Sequence, residues 1–185
     1  QFLPISLTIS SMSAGGGLYV ITGSTIAAYS SPDGITWTQR TMPASGTWSS
    51  SAYGNSKFVS IMQNSSICAT STDAATWSQQ TISLGNPMWS SMAYGNNTFV
   101  AVTAPASTVS GSSPDGITWT ARTLPTTANW INVVFGNSTF VAIANGTIAA
   151  TSPDGVTWTQ RTMPSSIPWN SIAYGNSTFV IIAAG

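Results

Sequence analysis

Tryptophan recurs at a nearly constant spacing along this chain. The eight tryptophans form two sets whose members lie 39 to 42 residues apart: Trp37, Trp77, Trp119 and Trp158, and Trp48, Trp89, Trp130 and Trp169. A period of this length is typical of solenoids, propellers and tandem arrays. The content of one period therefore decides which of these architectures the chain adopts.

Each period contains four short segments rich in β-branched and aromatic residues. In the fourth period they cover residues 130–135, 139–144, 147–152 and 156–161. Gly-Asn follows the first segment and Pro-Asp-Gly follows the third, and both sequences favour tight turns. No window shows helical periodicity. Four strands per period is the content of one propeller blade.

The N-terminal residues are a divergent copy of the same unit. Gln1 to Pro4 align with Arg122 to Pro125, and Ile9 stands where the later copies have tryptophan. The approximate repeats cover residues 1–40, 41–80, 81–122, 123–161 and, in part, 162–185. We therefore expect a single all-β domain over residues 1–185, a five-bladed β-propeller of four-stranded repeats whose fifth blade lacks its outer two strands.

A half-present blade predicts an unpaired strand edge near the C-terminus. The segment Phe179, Val180, Ile181 and Ile182 is apolar and uncharged, so it is a template for pairing with another strand. Three outcomes fit the sequence: a ring closed by a two-stranded last blade, further chain beyond these residues, or strands donated by a neighbouring molecule. The third predicts self-association through the incomplete fifth blade.

The acidic residues are too few and too regular for catalysis. All four aspartates occupy the same place in the repeat, and the chain has no glutamate and no histidine. We interpret them as structural turn residues: Asp33, Asp73, Asp115 and Asp154. With one cysteine, Cys68, and no histidine, triads and His/Cys metal sites are excluded. We expect no enzyme activity, no catalytic residue, no cofactor and no metal.

Low charge restricts the partners. Only 4% of the residues are charged, and four are basic, so no basic patch is available for a phosphate backbone. We expect no nucleic acid partner. No apolar run is long enough to span a bilayer as a helix, so membrane insertion is not expected.

The phrase Ser-Pro-Asp-Gly-x-Thr-Trp, in residues 31–37, 113–119 and 152–158, resembles the Asp-box (BNR-like) of sialidases and related propellers. Together with Ala-Tyr-Gly-Asn-x-x-Phe-Val, in residues 52–59, 93–100 and 173–180, it is most similar to repeats of phage tail-fibre and bacterial surface proteins. The resemblance implies a propeller in which the Asp-box is structural. It also implies an extracellular, virion-surface or cell-surface location.

Two functional hypotheses follow, and a third is disfavoured. The first is a non-catalytic binding or display module of a phage or extracellular assembly that recognises glycans or another cell-surface ligand. Its ligand-binding candidates open the inner strands, where a ring face beside amides and hydroxyls suits a sugar: Trp48, Trp89, Trp130 and Trp169. The second is a structural subunit completed by a neighbour into an oligomer or extracellular filament. The third, an Asp-box glycoside hydrolase, lacks a carboxylate pair flanking one bond.

Overall fold

A computed structural model of the protein describes residues 8–183, all of whose regular structure is β. The alignment of Gln1 to Pro4 falls outside this range. Eighteen strands form five antiparallel sheets, A to E, in chain order. Sheet A contains β1 (Ile9–Gly15), β2 (Leu18–Gly23), β3 (Ala27–Ser31) and β4 (Thr38–Thr41). Sheet B contains β5 (Trp48–Gly54), β6 (Lys57–Met62), β7 (Ile67–Ser71) and β8 (Ser78–Thr81).

The later sheets repeat this meander. Sheet C contains β9 (Trp89–Gly95), β10 (Thr98–Thr103), β11 (Ser107–Ser113) and β12 (Thr120–Ala128). Sheet D contains β13 (Trp130–Gly136), β14 (Thr139–Ala144), β15 (Gly146–Ser152) and β16 (Thr159–Ile167). Sheet E contains only β17 (Trp169–Gly175) and β18 (Thr178–Ala183). The predicted strands of the fourth period are found, but its last strand begins three residues later because the aspartate turn extends through Trp158.

The repeated Gly-Asn sequences lie in the turns between first and second strands, where only the asparagine is required by the turn. In sheets B to E the two residues with positive φ are Asn followed by Ser or Asn, such as Asn55 (48°) and Ser56 (58°), and in sheet A both are glycine. Two successive positive φ angles define the hairpin turn whose twist matches that of the strands. The preceding glycine, Gly54, recurs in the other repeats for a different reason. A Cβ there would lie 2.1 Å from Tyr94 of the next sheet.

The hydrophobic core lies between successive sheets. Four clusters of buried side chains join A to B, B to C, C to D and D to E. The inner strands β1, β5, β9, β13 and β17 pack side by side in that order. Residues from all five line one central cavity. The described residues contain no helix able to cross a membrane.

The prediction of a five-bladed propeller with one incomplete blade is wrong. The fold is an all-β propeller arrangement of four complete four-stranded sheets plus a separate two-stranded sheet. The sides of sheets A and E that would have to meet in a closed ring are exposed, with Met12 64% and Val180 57% accessible. The hairpin patterns in the sequence predict the strands of each sheet separately. They do not predict whether the first sheet contacts the last.

Candidate functional site: the serine-lined central cavity

An irregularity near the start of each inner strand directs serines towards the centre. In β5, Trp48 pairs with Met62 and Ser50 with Ile61, so Ser49 is an extra residue in the ladder. The same β-bulge follows the first residue of β1, β9, β13 and β17. A bulge sets two residues against one on the partner strand and re-aims a side chain. Ser49 and Ser50 consequently both line the cavity.

The cavity is polar and holds about 380 Å³. Hydroxyl and amide groups from all five inner strands form most of its wall, and two methionines and a valine complete it: Ser10, Ser11, Met12, Ser49, Ser50, Ser90, Ser91, Met92, Asn132, Val133 and Ser171. None of these lining residues is charged. Small-molecule sites usually occupy roughly 300–1,000 Å³. The cavity therefore has the size of a ligand site and the chemistry of a neutral hydrogen-bonding surface.

The serines also join neighbouring sheets. Serine Oγ atoms accept hydrogen bonds from backbone N–H groups of the next inner strand. The N–H of Ser51 donates to Ser11 Oγ at 2.9 Å, that of Met92 to Ser50 Oγ at 3.0 Å, and that of Val133 to Ser91 Oγ at 3.2 Å. A hydroxyl that accepts one bond retains its own O–H donor. The bond from Met92 thus leaves the Ser50 hydrogen for another partner. These hydrogen bonds between sheets hold the cavity wall in place. Serine hydroxyl hydrogens that they do not use remain available to a ligand.

Among residues 8–183, Asn132 supplies the only amide side chain of the wall. Its Oδ1 accepts a hydrogen bond from Ser91 Oγ at 3.0 Å, which fixes the orientation of the side chain. The amide nitrogen is not used by that bond, and it carries two donors. Asn132 is partly exposed. It therefore adds an amide donor to the cavity wall.

The tryptophan candidates do not line this cavity. Trp48, Trp89 and Trp130 have no exposed surface, and Trp169 is partly exposed. The indole N–H of Trp130 donates to the Ser107 carbonyl at 3.0 Å, and that of Trp169 donates to Gly146 at 2.8 Å. Three of the four rings therefore lie in the core between strands, in contrast to the expected ring face open to a sugar.

The four aspartates sit in equivalent turns between third and fourth strands. In sheet A, Asp33 Oδ1 accepts hydrogen bonds from the amides of Ile35 and Thr36 at 2.8 and 2.7 Å, and from Ser31 Oγ at 2.9 Å. The same three bonds recur around Asp73, Asp115 and Asp154. Each carboxylate thus closes its own hairpin, and none belongs to the cavity wall.

Hydrogen bonding holds these carboxylates in the charged form. The amides of Thr36 and Ile35 and the Ser31 hydroxyl lower the pKa of Asp33 to about 2. The Thr76 and Ala75 amides lower the pKa of Asp73 to about 2. A general acid needs a pKa near the working pH, so these groups are poor proton donors. Within residues 8–183 no cluster of His, Cys, Asp or Glu could hold a metal ion.

The apolar segment near the C-terminus forms β18. Phe179 and Ile181 pack against sheet D, whereas Val180 and Ile182 are 57% and 56% exposed. The only strand paired with β18 among the described residues is β17. The predicted unpaired edge is therefore present, and it carries an exposed apolar face as well.

Family comparison agrees with this architecture. The model of the DUF6242 β-propeller domain matches residues 78–185, which is more than half of the chain. The chain belongs to this β-propeller family. Comparison with curated proteins gives no match. The resemblance to Asp-box and phage tail-fibre repeats rests on the sequence motifs alone.

Several solved structures share the fold of this DUF6242-family chain, and they belong to different proteins. A streptogramin B lyase aligns with a TM-score of 0.83 at 10% identity, over 98% of this chain and 64% of that one. YCF48 bound to D1 peptide aligns with a TM-score of 0.68 at 18% identity, over 94% and 60%. A catalytically inactive histidine-to-alanine variant of virginiamycin B lyase from Staphylococcus aureus, with quinupristin, gives 0.79 at 10% identity, over 99% and 67%. The chain spans less than two thirds of the first two. At these identities the likeness shows the fold alone.

The sequence-based search for a site missed the serines. Serine is frequent in this chain, so the Ser-Ser pairs after Ile9, Trp48 and Trp89 do not stand out by composition. Their position could have identified them as candidates, because each pair directly follows the first residue of an inner strand. The bulge that makes both members of a pair face the cavity is visible only in the strand register.

Proposed function

We propose that this domain binds a neutral, polyhydroxylated ligand of the carbohydrate class in the serine-lined cavity, and that it does so without catalysing a reaction. The observation that carries the proposal is the wall itself, where hydroxyl and amide groups from five strands converge without a charged side chain. Sugar hydroxyls donate and accept, as serine and asparagine groups do. Of the apolar side chains in the wall, Met12 is exposed whereas Met92 and Val133 are buried, so the surface offered to a ligand is almost entirely polar.

A neutral wall disfavours ionic ligands. Transfer of an unpaired carboxylate or ammonium from water into such a site is costly, because no opposite charge compensates for lost solvation. Sialic acids, phosphosugars and nucleotides are therefore poorer candidates than neutral oligosaccharides. The proposed ligand is therefore still a glycan, as the sequence suggested. The proposed binding site is formed by the inner-strand serines instead of the tryptophans.

The chemistry of the chain supports a binding role over a catalytic one. The aspartates lie in separate turns with lowered pKa values, so they offer no acid and base flanking one bond. The structural relative solved as a catalytically inactive variant has lost a histidine, and this chain has no histidine. The cavity contains no titratable side chain that could transfer a proton at neutral pH.

The experiment is a panel of neutral and sialylated oligosaccharides on an array, followed by calorimetric titration of the strongest binder. Asn132→Ala removes the amide donors from the cavity wall and should weaken binding about two- to tenfold, as expected for loss of one ligand hydrogen bond. Asn170→Ala makes the same change on an exposed side chain outside the wall and should bind like the parent.

Two results would contradict the proposal. One is the absence of any neutral oligosaccharide binder while a peptide panel gives specific binding. The other is equal affinity of the Asn132→Ala and Asn170→Ala variants, with both folded by circular dichroism. Hydrolysis of a bound glycoside would contradict the claim that the domain is not catalytic, but not the claim that it binds carbohydrate.

A further inference from the structure

Successive sheets of this chain meet through one repeated interface. The aspartate turn of one sheet packs on the second strand of the sheet before it, so a Cβ added at Gly116 would lie 2.4 Å from Val59. Gly155 stands in the same relation to Val100, at 2.3 Å. The asparagine of the earlier sheet also donates to the turn, as Asn96 Nδ2 does to the Pro153 carbonyl at 2.7 Å. Each junction therefore has a turn half and a strand half.

Sheet A presents a turn half on which none of residues 8–183 packs closely. A Cβ at Gly34 would meet no atom within 4 Å. The next residue, Ile35, is 78% exposed, whereas its equivalents Ile117 and Val156, which have a preceding sheet, are 41% and 40% exposed. Met12, whose equivalent Met92 is 5% exposed, is 64% exposed. In sheets C and D the preceding sheet thus covers about half of the surface that the equivalent side chain exposes in sheet A.

Sheet E presents the complementary strand half. Val180 and Ile182 are 57% and 56% exposed, while the equivalent side chains in sheets B and C are fully buried: Val59, Ile61, Val100 and Val102. The strand half of the interface is carried by the first two strands of a sheet. Sheet E has both of these strands. The strand half is therefore complete in the described part of sheet E.

We propose that sheet A of one molecule packs on sheet E of a second copy, reproducing the junction that already joins B to C and C to D. In this arrangement the turn Pro32-Asp33-Gly34 covers Val180, Asn176 reaches the Pro32 carbonyl, and Ser171 Oγ accepts from the Met12 amide. The occupant is a second copy because sheet A carries the turn half and sheet E the strand half of one interface, and both halves are exposed among residues 8–183. Apolar patches of this kind on a polar surface mark association sites.

One position departs from the repeat. In the internal junctions an aromatic side chain fills the space over the preceding glycine, as Phe135 does over Gly95. Sheet A has Ala14 at the equivalent place, so the space over Gly175 would be filled only in part. The intermolecular junction should accordingly be weaker than an internal one and therefore dependent on concentration. Because the two halves differ, contact is head-to-tail and generates a ring or a filament.

Analytical ultracentrifugation from micromolar to near-millimolar concentration tests the proposal with two blocking variants. Ile35→Asp blocks the turn half, and Val180→Asp blocks the strand half beside Asp33 of the incoming turn. Val109→Asp is the control, because this side chain is 38% exposed on β11 of an internal sheet. Ile35 lies in an exposed turn and contributes only its amide to the aspartate bonds, so its variant should fold.

The wild type and the control should associate with increasing concentration, and each blocking variant alone should remain monomeric. An equimolar mixture of the two blocking variants should form dimers and nothing larger, since one intact turn half then meets one intact strand half. A monomeric wild type over the whole range would overturn the proposal. So would a mixture that stays monomeric, or association that survives Ile35→Asp, as expected if strand exchange at the edge of β18 were responsible.

Discussion

Replacement of Gly95 by alanine should destabilise the protein, whereas the same replacement at Gly175 should not. Both glycines end the first strand of their sheet. An alanine Cβ at Gly95 would lie 2.0 Å from Cγ of Phe135, while one at Gly175 would meet nothing within 4 Å. Neither glycine has a positive φ, so steric overlap is the difference between them.

The size of the effect follows from what Phe135 can do. Ordinary contact requires 3.4 Å or more, so the ring must retreat by over 1 Å. Phe140, which is fully buried with its centroid 4.8 Å from that of Phe135, opposes the retreat. Overpacking of this kind costs about 1–3 kcal/mol, and 1 kcal/mol corresponds to roughly 2–4 °C in Tm for a chain of this size. Gly175→Ala should be neutral or stabilising by up to about 1 kcal/mol.

The assay is urea unfolding and calorimetry of both variants at low protein concentration. A third variant, Phe135→Ala, and the Gly95→Ala/Phe135→Ala pair complete a double-mutant cycle. If the clash is the cause, the glycine change should cost little once the ring has gone. Equal destabilisation by Gly95→Ala and Gly175→Ala, or additive effects in the cycle, would refute the reasoning.

Two further predictions concern titratable groups. The folded-state pKa of Asp33 and of Asp73 is lowered to about 2, so the stability they contribute is present above their unfolded pKa of 3.8 and is lost as pH falls towards 2. Unfolding free energies measured in urea should fall over that range, by an amount that the solvent exposure of both carboxylates keeps small, and the slope should be smaller for Asp33→Asn; an unchanged slope would contradict the turn geometry. Cys68 is fully buried, and burial raises its pKa to about 12, so a thiol reagent should modify it only when the protein is denatured. Rapid modification of the native protein would show that β7 opens.

Local structure was predictable wherever turn chemistry fixes it. The Gly-Asn and Pro-Asp-Gly sequences located the hairpins, and the β14 bounds, Thr139–Ala144, agree with the pattern. The prediction of a five-bladed propeller failed at the last repeat, because contact between sheets A and E depends on how far each sheet rotates from its neighbour. Local sequence patterns do not encode that rotation. The substitutions of Ile9 for tryptophan and Ala14 for an aromatic residue mark the first sheet as atypical without fixing what packs on it.

The site was harder to predict than the fold. Tryptophan beside polar groups resembles a sugar-binding surface, but the bulge after Trp48 sends the serines to the cavity while the indole remains fully buried. A one-residue shift in register decides which side chains face a cavity. The contribution of Asn132 follows from its hydrogen bond with Ser91, which is a contact between sheets and has no counterpart in sequence spacing.

The proposed binding site is tested most directly by a crystal structure of the chain with the neutral oligosaccharide that binds it best. The sugar should lie in the central cavity, with the Asn132 amide and inner-strand serine hydroxyls within hydrogen-bonding distance of its hydroxyl groups. Density for the sugar on the outer turns, or over the exposed face of β18, with the cavity free of it, would contradict the assignment of the serine-lined cavity as the site.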